Sequence, residues 1–345
     1  VGTCVLRSAG HGVCQCPSST IQRDMKIGCL IYADAENEDK MSAFLRMGTW
    51  AANSFAHFHP DIELIAGTFW HLGGTHNNLR SDTLFKNLNE RCPETYKWHR
   101  DTYDHPNRIW NRWGINKFKI AEELIRTEEF DKVIVLGADT ITCARLIHFL
   151  REYACFSCGH TDVDVITTPD INPRFLANPD VICFNAKKTA EGMRSKALTI
   201  IIAQWEKDFK VGGVEEMKYG EMWSLKEALR TQPPSSNYIK RLPIDNARYS
   251  HNANKQIDVW VGKDFELIND LGTNQVRKLF VYHIQAGIGT MKTSKKINSH
   301  LTKYMYTAPI FNTGREFKGT ENREFFKTIT GDKDMFKRIT RFSIV

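Results

Sequence analysis

The feature that most constrains this chain is the run VIVLGADTITCARL, Val133 to Leu146, which stands directly behind the stretch NKFKIAEELIRTEEF. In that stretch Phe118, Ala121, Leu124 and Ile125 recur at helical spacing, which predicts a helix with one apolar face. KVIVLG is short, apolar and rich in β-branched residues, the pattern of a strand covered on both faces. A helix that leads at once into such a strand is the unit from which parallel sheets are built. The alternation recurs along the chain. Lys26 to Ala33 reads as a strand. About Asp39 to Phe58 reads as a helix, with Met41, Phe44, Leu45, Met47, Trp50 and Ala51 at its apolar positions, and DIELIAGTF reads as a second strand. Beyond Asp139 the pattern gives a helix near Ala144–Tyr153, strands VDVITT and DVICFN, and helices near Ala190–Phe209 and Val214–Arg230. Short strands follow at IDVWVG and KLFVYHI, and Gln232–Asn252 reads as an irregular connection. The expected fold class is α/β: a Rossmann-like, mostly parallel sheet flanked by helices in a single large domain.

Composition agrees with such a domain. The chain has 345 residues, 41% hydrophobic and 25% charged, enough to bury a substantial core. Its net charge of +7 is spread along the chain, with acids between the bases, which reads first as a mixed solvated surface and second as attraction for an anionic ligand. The sequence contains no apolar run long enough for a membrane span, so none is expected. Residues 1–24 differ from the rest: rich in Gly, Ser and Cys, without period, and lacking the apolar centre of a secretion signal. At Met25 the text changes to MKIGCLIYADAENEDK, so the domain is expected over 25–303, after an upstream segment 1–24 and before a C-terminal extension 304–345. Nine cysteines, several in expected core elements (Cys29, Cys143, Cys183), point to reduced thiols and a cytoplasmic location. CFSCGH, with Cys155, Cys158 and His160, supplies at most part of a zinc site; the other clustered candidates, Cys14 and Cys16, lie in the 1–24 segment, and a plain loop is the simpler reading.

The lone acid at the end of KVIVLG carries the functional reading. In a parallel sheet ligands bind beyond the carboxyl ends of the strands. A strand ending Gly137-Ala138-Asp139 delivers a carboxylate into that crevice, with small residues before it that let a ligand approach the backbone. A hard oxygen there suits Mg²⁺ or Mn²⁺ bridging a diphosphate. The structural alternative is that Asp139 caps a helix starting near Ile141.

The segment NKFKIAEELIRTEEFDKVIVLGADT resembles the region around the Asp-x-Asp motif of GT-A glycosyltransferases, especially the glycogenin-like enzymes of family 8. In that resemblance Lys117 matches the Lys on the preceding helix, Asp139 matches the second Asp of the motif, and Gly137 stands where the first Asp would be. IYADAENEDK is similar to the base-contacting loop after the first strand and puts Tyr32 and Ala33 there, with Tyr32 expected to stack on the base. DVICFNAKKT looks like the family's FNaGv strand end, with Asn185 near the sugar or acceptor. YGEMWSLKEAL is similar to its Asp-Gln helix start, with Glu221 in the acidic position and Met222 in place of Gln. LFVYHIQAGIGTMK resembles the late HFxGxxKPW motif, with looser spacing and no Pro-Trp. His283 then completes the metal shell, and Gly287 and Lys292 meet the diphosphate.

The resemblance covers Lys26 to Lys292 and implies a GT-A-like fold and transfer of a sugar from a nucleoside diphosphate sugar, UDP-sugar first, to a glycan or other hydroxyl acceptor. It implies Mn²⁺ or Mg²⁺ as cofactor, Asp139 and His283 as metal ligands, and Tyr32, Ala33, Lys117, Gly137, Ala138, Asp139, Gly287 and Lys292 around the donor. Glu221 and Asn185 are the candidates for the reacting face, and retention of anomeric configuration follows from the family likeness alone. A nucleotide-sugar binder without turnover, or a nucleotidyltransferase on the same sheet, is the rival that Gly137 favours. A nucleic-acid-binding protein is the more distant one, suggested by eight Trp and by aromatics among bases in WHRDTYDHPNRIWNRWGINKFK.

Overall fold

The computed structural model describes residues 25–34, 38–69, 84–103, 114–142, 144–150, 164–168, 177–211 and 220–230, and the short segments 239–241, 246–248, 266–269, 275–278 and 280–283. The chain begins with β1 (Ile27–Tyr32), α1 (Glu38–Phe58), β2 (Glu63–Thr68) and β3 (Phe85–Asn87). Next come α2 (Pro93–Tyr103), α3 (Asn116–Glu128), β4 (Lys132–Gly137), β5 (Thr140–Thr142) and α4 (Ile147–Leu150). β6 (Val165–Thr167), β7 (Val181–Asn185), the hairpin β8 (Lys187–Thr189) and β9 (Gly192–Arg194), α5 (Lys196–Val211) and α6 (Glu221–Arg230) follow. Short strands complete the described chain: β10 (Ile239–Arg241), β11 (Asn246–Arg248), β12 (Glu266–Asn269), β13 (Gln275–Lys278) and β14 (Val281–His283).

Seven strands form one sheet in the order β10-β6-β7-β4-β1-β2-β3. β1 pairs in parallel with β2 and β4, β2 with β3, and β6 with β10. β7 alone runs against its neighbours β4 and β6. The sheet is therefore the mostly parallel, helix-flanked α/β sheet expected.

Strand alternation divides the core in two. On one face Leu30, Tyr32, Val133, Val135 and Phe184 pack with Phe118, Leu124, Trp205 and Leu225 of α3, α5 and α6. On the other Cys29, Ile31, Ile134, Leu136 and Cys183 pack with Ala51 and Phe55 of α1 and Phe149 of α4. Every β4 residue is buried, which is why KVIVLG shows no polar alternation. The thiols of Cys29, Cys92 and Cys183 are free and buried, and burial pushes the Cys183 thiol up to about 12.

A second, small sheet sits at the end of β4. β5 pairs antiparallel with β14, which pairs in parallel with β11. The helix expected near Ala144–Tyr153 is present among the described residues only as Ile147–Leu150, and residues 140–142 are strand.

The C-terminal half of α1 pins this turn. The Thr142 amide donates to Ser54 Oγ at 2.9 Å, and the Leu146 amide donates to His59 Nε2 at 2.8 Å. Nε2 thus accepts, and Nδ1–H faces the Phe55 carbonyl at 3.3 Å, so the neutral ring is the form that fits. Burial pushes the His59 ring down from 6.5 to about 4; the Phe55 carbonyl and Asp61 oppose this, and Arg145 adds to it. Because the folded value lies below the ordinary one, the stabilisation is complete above pH 6.5 and is lost as pH falls towards 4. Urea unfolding across that window should reveal a His59 contribution on the order of 3 kcal/mol. His59→Gln should flatten this part of the profile, and an unchanged slope in the variant would exclude His59 as its source.

Candidate functional site

The carboxyl ends of β1, β2 and β4 are level. Tyr32 is in register with Gly67 on one side and Gly137 on the other. Beyond this row β1 continues into Ala33 and Asp34, and β4 into Ala138 and Asp139. β7 runs the other way and therefore brings its beginning to the same edge. The Gly137 amide donates to the Asp180 carbonyl at 2.9 Å, and the Asp180 amide donates to Asn178 Oδ1 at 2.8 Å, a local turn that sets Asp180 beside the end of β4.

Below this edge lies the ammonium of Lys117, in the first turn of α3. Its side chain is 8% exposed and donates to Asp180 Oδ1 at 2.6 Å and Glu221 Oε1 at 3.0 Å. Burial alone would lower the Lys117 ammonium, but the charges and hydrogen bonds of Asp180 and Glu221 outweigh it and hold the group above its ordinary value. Glu221 is the first residue of α6, where an acid suits the helix N-terminus. Its carboxylate lies against Gly114, just ahead of α3, and a side chain at Gly114 would overlap it. The structure thus brings Lys117 and Glu221 together and adds Asp180 from the turn before β7.

Asp139 occupies the turn between the two sheets and is half-buried. The helix-cap alternative fails because the next three residues form β5, and Thr140 Oγ1 closes the turn on the Gly137 carbonyl at 2.7 Å. Gly137 forms the floor. A Cβ built there would meet Asp180 Cβ at 2.8 Å, Asp180 Cγ at 3.0 Å and Asp139 Oδ1 at 2.9 Å. His283 is in register with Thr140 across β14 and β5, so the backbone of the expected second metal ligand runs beside that of the first. The His283 side chain, Gly287, Lys292 and the CFSCGH segment lie outside the described residues.

Two expectations need correcting. Tyr32 is not an open stacking platform: it is 7% exposed and its ring packs against Phe69 at a centroid distance of 5.4 Å. Its hydroxyl donates to Asp34 Oδ2 at 2.6 Å and accepts from Asn116 Nδ2 at 3.1 Å. Asn116 also meets His99 Nδ1 at 2.7 Å, and His99 Nε2 lies 3.5 Å from Asp34 Oδ2, which closes a buried polar ring tying the end of β1 to α2 and α3. Asn185 is not at this edge either. It is in register with Lys132, the first residue of β4, while Gly137 is the last. At ~3.3 Å per residue the two levels are about 16 Å apart. The antiparallel course of β7 is the cause, and the residues it does deliver are Asn178 and Asp180. Ala33 and Ala138, 2% and 6% exposed, pack on the α1 face and form the small-residue backing of the cleft.

Asp180 and Glu221 meet the Lys117 ammonium at this edge, and Asp34 meets His99. Carboxylate oxygens are the donor type taken by the divalent ion that the sequence resemblance implies. Among the described residues no three His, Cys, Asp or Glu side chains are gathered as a complete metal shell. The aromatics considered for base stacking are used in packing where they are described. Trp98 lies edge-on to Trp205 at 5.7 Å, and Lys119 sits 4.4 Å above the Trp98 ring. No helix among the described residues is long and apolar enough to cross a membrane.

No family model matches this sequence, and no curated protein matches it. Similar solved structures include a glycosyltransferase involved in glycosylation of the major capsid of PBCV-1 (8% identity, 80% of this chain and 98% of that one, TM-score 0.42). They also include the galactosyltransferase LgtC in complex with donor and acceptor sugar analogs (14% identity, 80% and 95%, TM-score 0.38). A third is mouse xyloside xylosyltransferase 1 (10% identity, 75% and 97%, TM-score 0.41). At these scores the likeness is one of chain course and carries no correspondence between side chains.

Proposed function

We propose that this protein is a glycosyltransferase that moves a sugar from a nucleoside diphosphate sugar, UDP-sugar first, to a glycan or other hydroxyl acceptor with Mn²⁺ or Mg²⁺. The observation that carries the reading is the carboxyl edge of the parallel sheet, where Asp180 and Glu221 hold the buried ammonium of Lys117 and Asp139 ends the turn after β4. An edge of this charge repels a bare diphosphate but accepts one that arrives with a divalent cation. In the reaction the bond from the sugar's anomeric carbon to the diphosphate breaks and one to the acceptor oxygen forms. The bonding pair leaves with the diphosphate, and the acceptor loses its proton. Bound there, the cation neutralises charge on the departing diphosphate, the main electrostatic task of the step.

Asp139 and His283 are the residues that would hold the cation, and Lys117 would meet phosphate oxygen. Gly137 and Ala138 lead into the donor edge, and Gly287 and Lys292 are further candidates for the diphosphate. Glu221, tied to Lys117 at the start of α6, is the candidate for the reacting face, where it would accept hydrogen bonds from the sugar or acceptor. A retaining outcome is part of the proposal through the family likeness only, and no nucleophile is assigned. The rival reading, a protein that binds the nucleotide sugar without transferring it, is favoured by Gly137 in place of a motif acid. The two readings share the donor site and differ in turnover.

Binding is tested by thermal unfolding with a panel of nucleoside diphosphates, each with and without Mn²⁺. A ligand taken only by the folded state at a hundred times its Kd adds about 2.7 kcal/mol, a shift of several degrees. UDP with Mn²⁺ should give the largest rise, and either alone a smaller one. Stabilisation by single-stranded nucleic acid with no response to any nucleoside diphosphate would sink the proposal.

A further inference from the structure

Three side chains at the end of α1 hold the stretch that follows Asp139, namely β5 and residues 144–146. Ser54 Oγ accepts from the Thr142 amide, His59 Nε2 accepts from the Leu146 amide, and Asp61 pairs with Arg145. The three differ in weight. The Arg145–Asp61 pair keeps 45% and 55% of its exposure, and such pairs hold weakly. Ser54 is buried and donates its own proton to the Ala51 carbonyl at 2.9 Å, which leaves its oxygen free to accept. His59 is fully buried, and its ring stacks on Phe55 at 4.3 Å with 10° between the planes. Its backbone is fixed too: its amide donates to the Phe55 carbonyl at 2.9 Å, and its carbonyl accepts from the Ile62 amide at 3.2 Å. His59 is thus a rigid acceptor to which the buried Leu146 has to come. Through β5 the same hold reaches β14, where His283 is in register with Thr140.

We propose that His59 is a positioning residue for the donor edge: its ring latches β5 and residues 144–146 to α1 and so sets the Asp139 turn and β14 against the ends of β1 and β4. The identity of the donor rests on the glycosyltransferase reading, whereas the latch stands on its own geometry. The ring acts through the Leu146 amide, and its tautomer decides whether it can. With Nδ1–H facing the Phe55 carbonyl, Nε2 offers the lone pair that the amide needs. A proton on Nε2 would set one N–H against another and release the strand. Burial is the largest influence and keeps that proton off. The charged groups that face the ring are Arg145, which also opposes the proton, and Asp61, which favours it, as does the Phe55 carbonyl. The latch is therefore closed throughout the neutral range and opens as pH falls towards 4.

Hydrogen exchange read by mass spectrometry on the donor-free protein tests the latch in wild type, His59→Leu and His59→Gln. Leu fills the space without an acceptor, while Gln places an oxygen near the position of Nε2 and does not titrate. At neutral pH, peptides containing Thr142, Leu146 and β14 should exchange at least about tenfold faster in His59→Leu, the scale of leaving a buried amide without its acceptor. Peptides from β1 and β2 should keep their protection, and His59→Gln should stay close to wild type throughout. As pH falls from 6.5 towards 4, wild type should lose protection at these peptides beyond the chemical effect of pH, and His59→Gln should not. Calorimetry with UDP and Mn²⁺ should show the same order, with His59→Leu at least about tenfold weaker and His59→Gln restored. Wild-type protection of the Leu146 peptide in His59→Leu, or equal acceleration across the whole sheet, overturns the latch. A loosened Leu146 peptide with unchanged UDP affinity overturns the positioning role. Should His59→Leu fail to fold, a step with pH that persists in His59→Gln overturns the proposal by itself. If wild type takes up no nucleoside diphosphate at all, the glycosyltransferase reading fails, and the exchange rates still decide the latch.

Discussion

Asp139→Asn is expected to lower turnover at least about 10²-fold, the scale of removing one key electrostatic stabiliser of a developing charge. The substitution keeps the shape of the side chain and removes its negative charge. Folding should change little, because Asp139 is half-buried at a turn and the closure of that turn rests on Thr140, Ser54 and His59. Transfer assays and urea unfolding on the same preparation separate the two effects. A sharp fall in stability with donor binding intact would make Asp139 a structural residue.

Lys117→Met should have the largest effect on stability. It leaves Asp180 and Glu221 facing each other beneath the cleft without their shared cation. Removing one partner of a buried pair costs 3–5 kcal/mol, and about 3 kcal/mol is expected here because the two carboxylate side chains keep 23% and 16% of their exposure. The folded-state ammonium is raised, so its contribution is fully present below its ordinary value of 10.5 and is lost only as pH climbs through the folded-state value above that. Adding Glu221→Gln to Lys117→Met should recover part of the loss, since it removes one of the stranded charges. Additive losses in the double variant would mean that the two side chains are not coupled. Thermal shift with UDP and Mn²⁺ should vanish in Lys117→Met under conditions where the protein is still folded.

The sheet was legible where burial imposes a period. β1, β2 and β4 are continuous apolar runs, and α1 and α3 carry apolar stripes, so their order and parallel course follow from the text. α2 was not foreseen, because its PETYKWHRDTY packs through Tyr96, Trp98 and His99, amphipathic side chains that do not mark a stripe. β5 was hidden for a different reason: three residues are too few to show a period, and their strand state depends on β14, far away in the chain. The site was half legible. Gly137-Ala138-Asp139 reads as a cleft residue because it follows a buried strand that runs parallel to its neighbours. Asn185 was misplaced because a fully buried strand looks the same read in either direction, and pairing with β4 alone decides which end reaches the cleft. Asn178-Pro179-Asp180, a turn signal just before DVICFN, was the mark of the end that does. Tyr32 was assigned by position alone. Its ring is drawn into the core by Phe69 and its hydroxyl by Asp34 and Asn116, partners that no local pattern announces.

The most direct measurement is release of nucleoside diphosphate from a panel of UDP- and GDP-sugars, with Mn²⁺ and a mixture of glycan acceptors, by the wild-type protein and Asp139→Asn. The expected result is release from at least one UDP-sugar that requires the metal, rises with acceptor and falls at least about 10²-fold in the variant. No release from any donor, or release that Asp139→Asn leaves unchanged, would contradict transfer at this site.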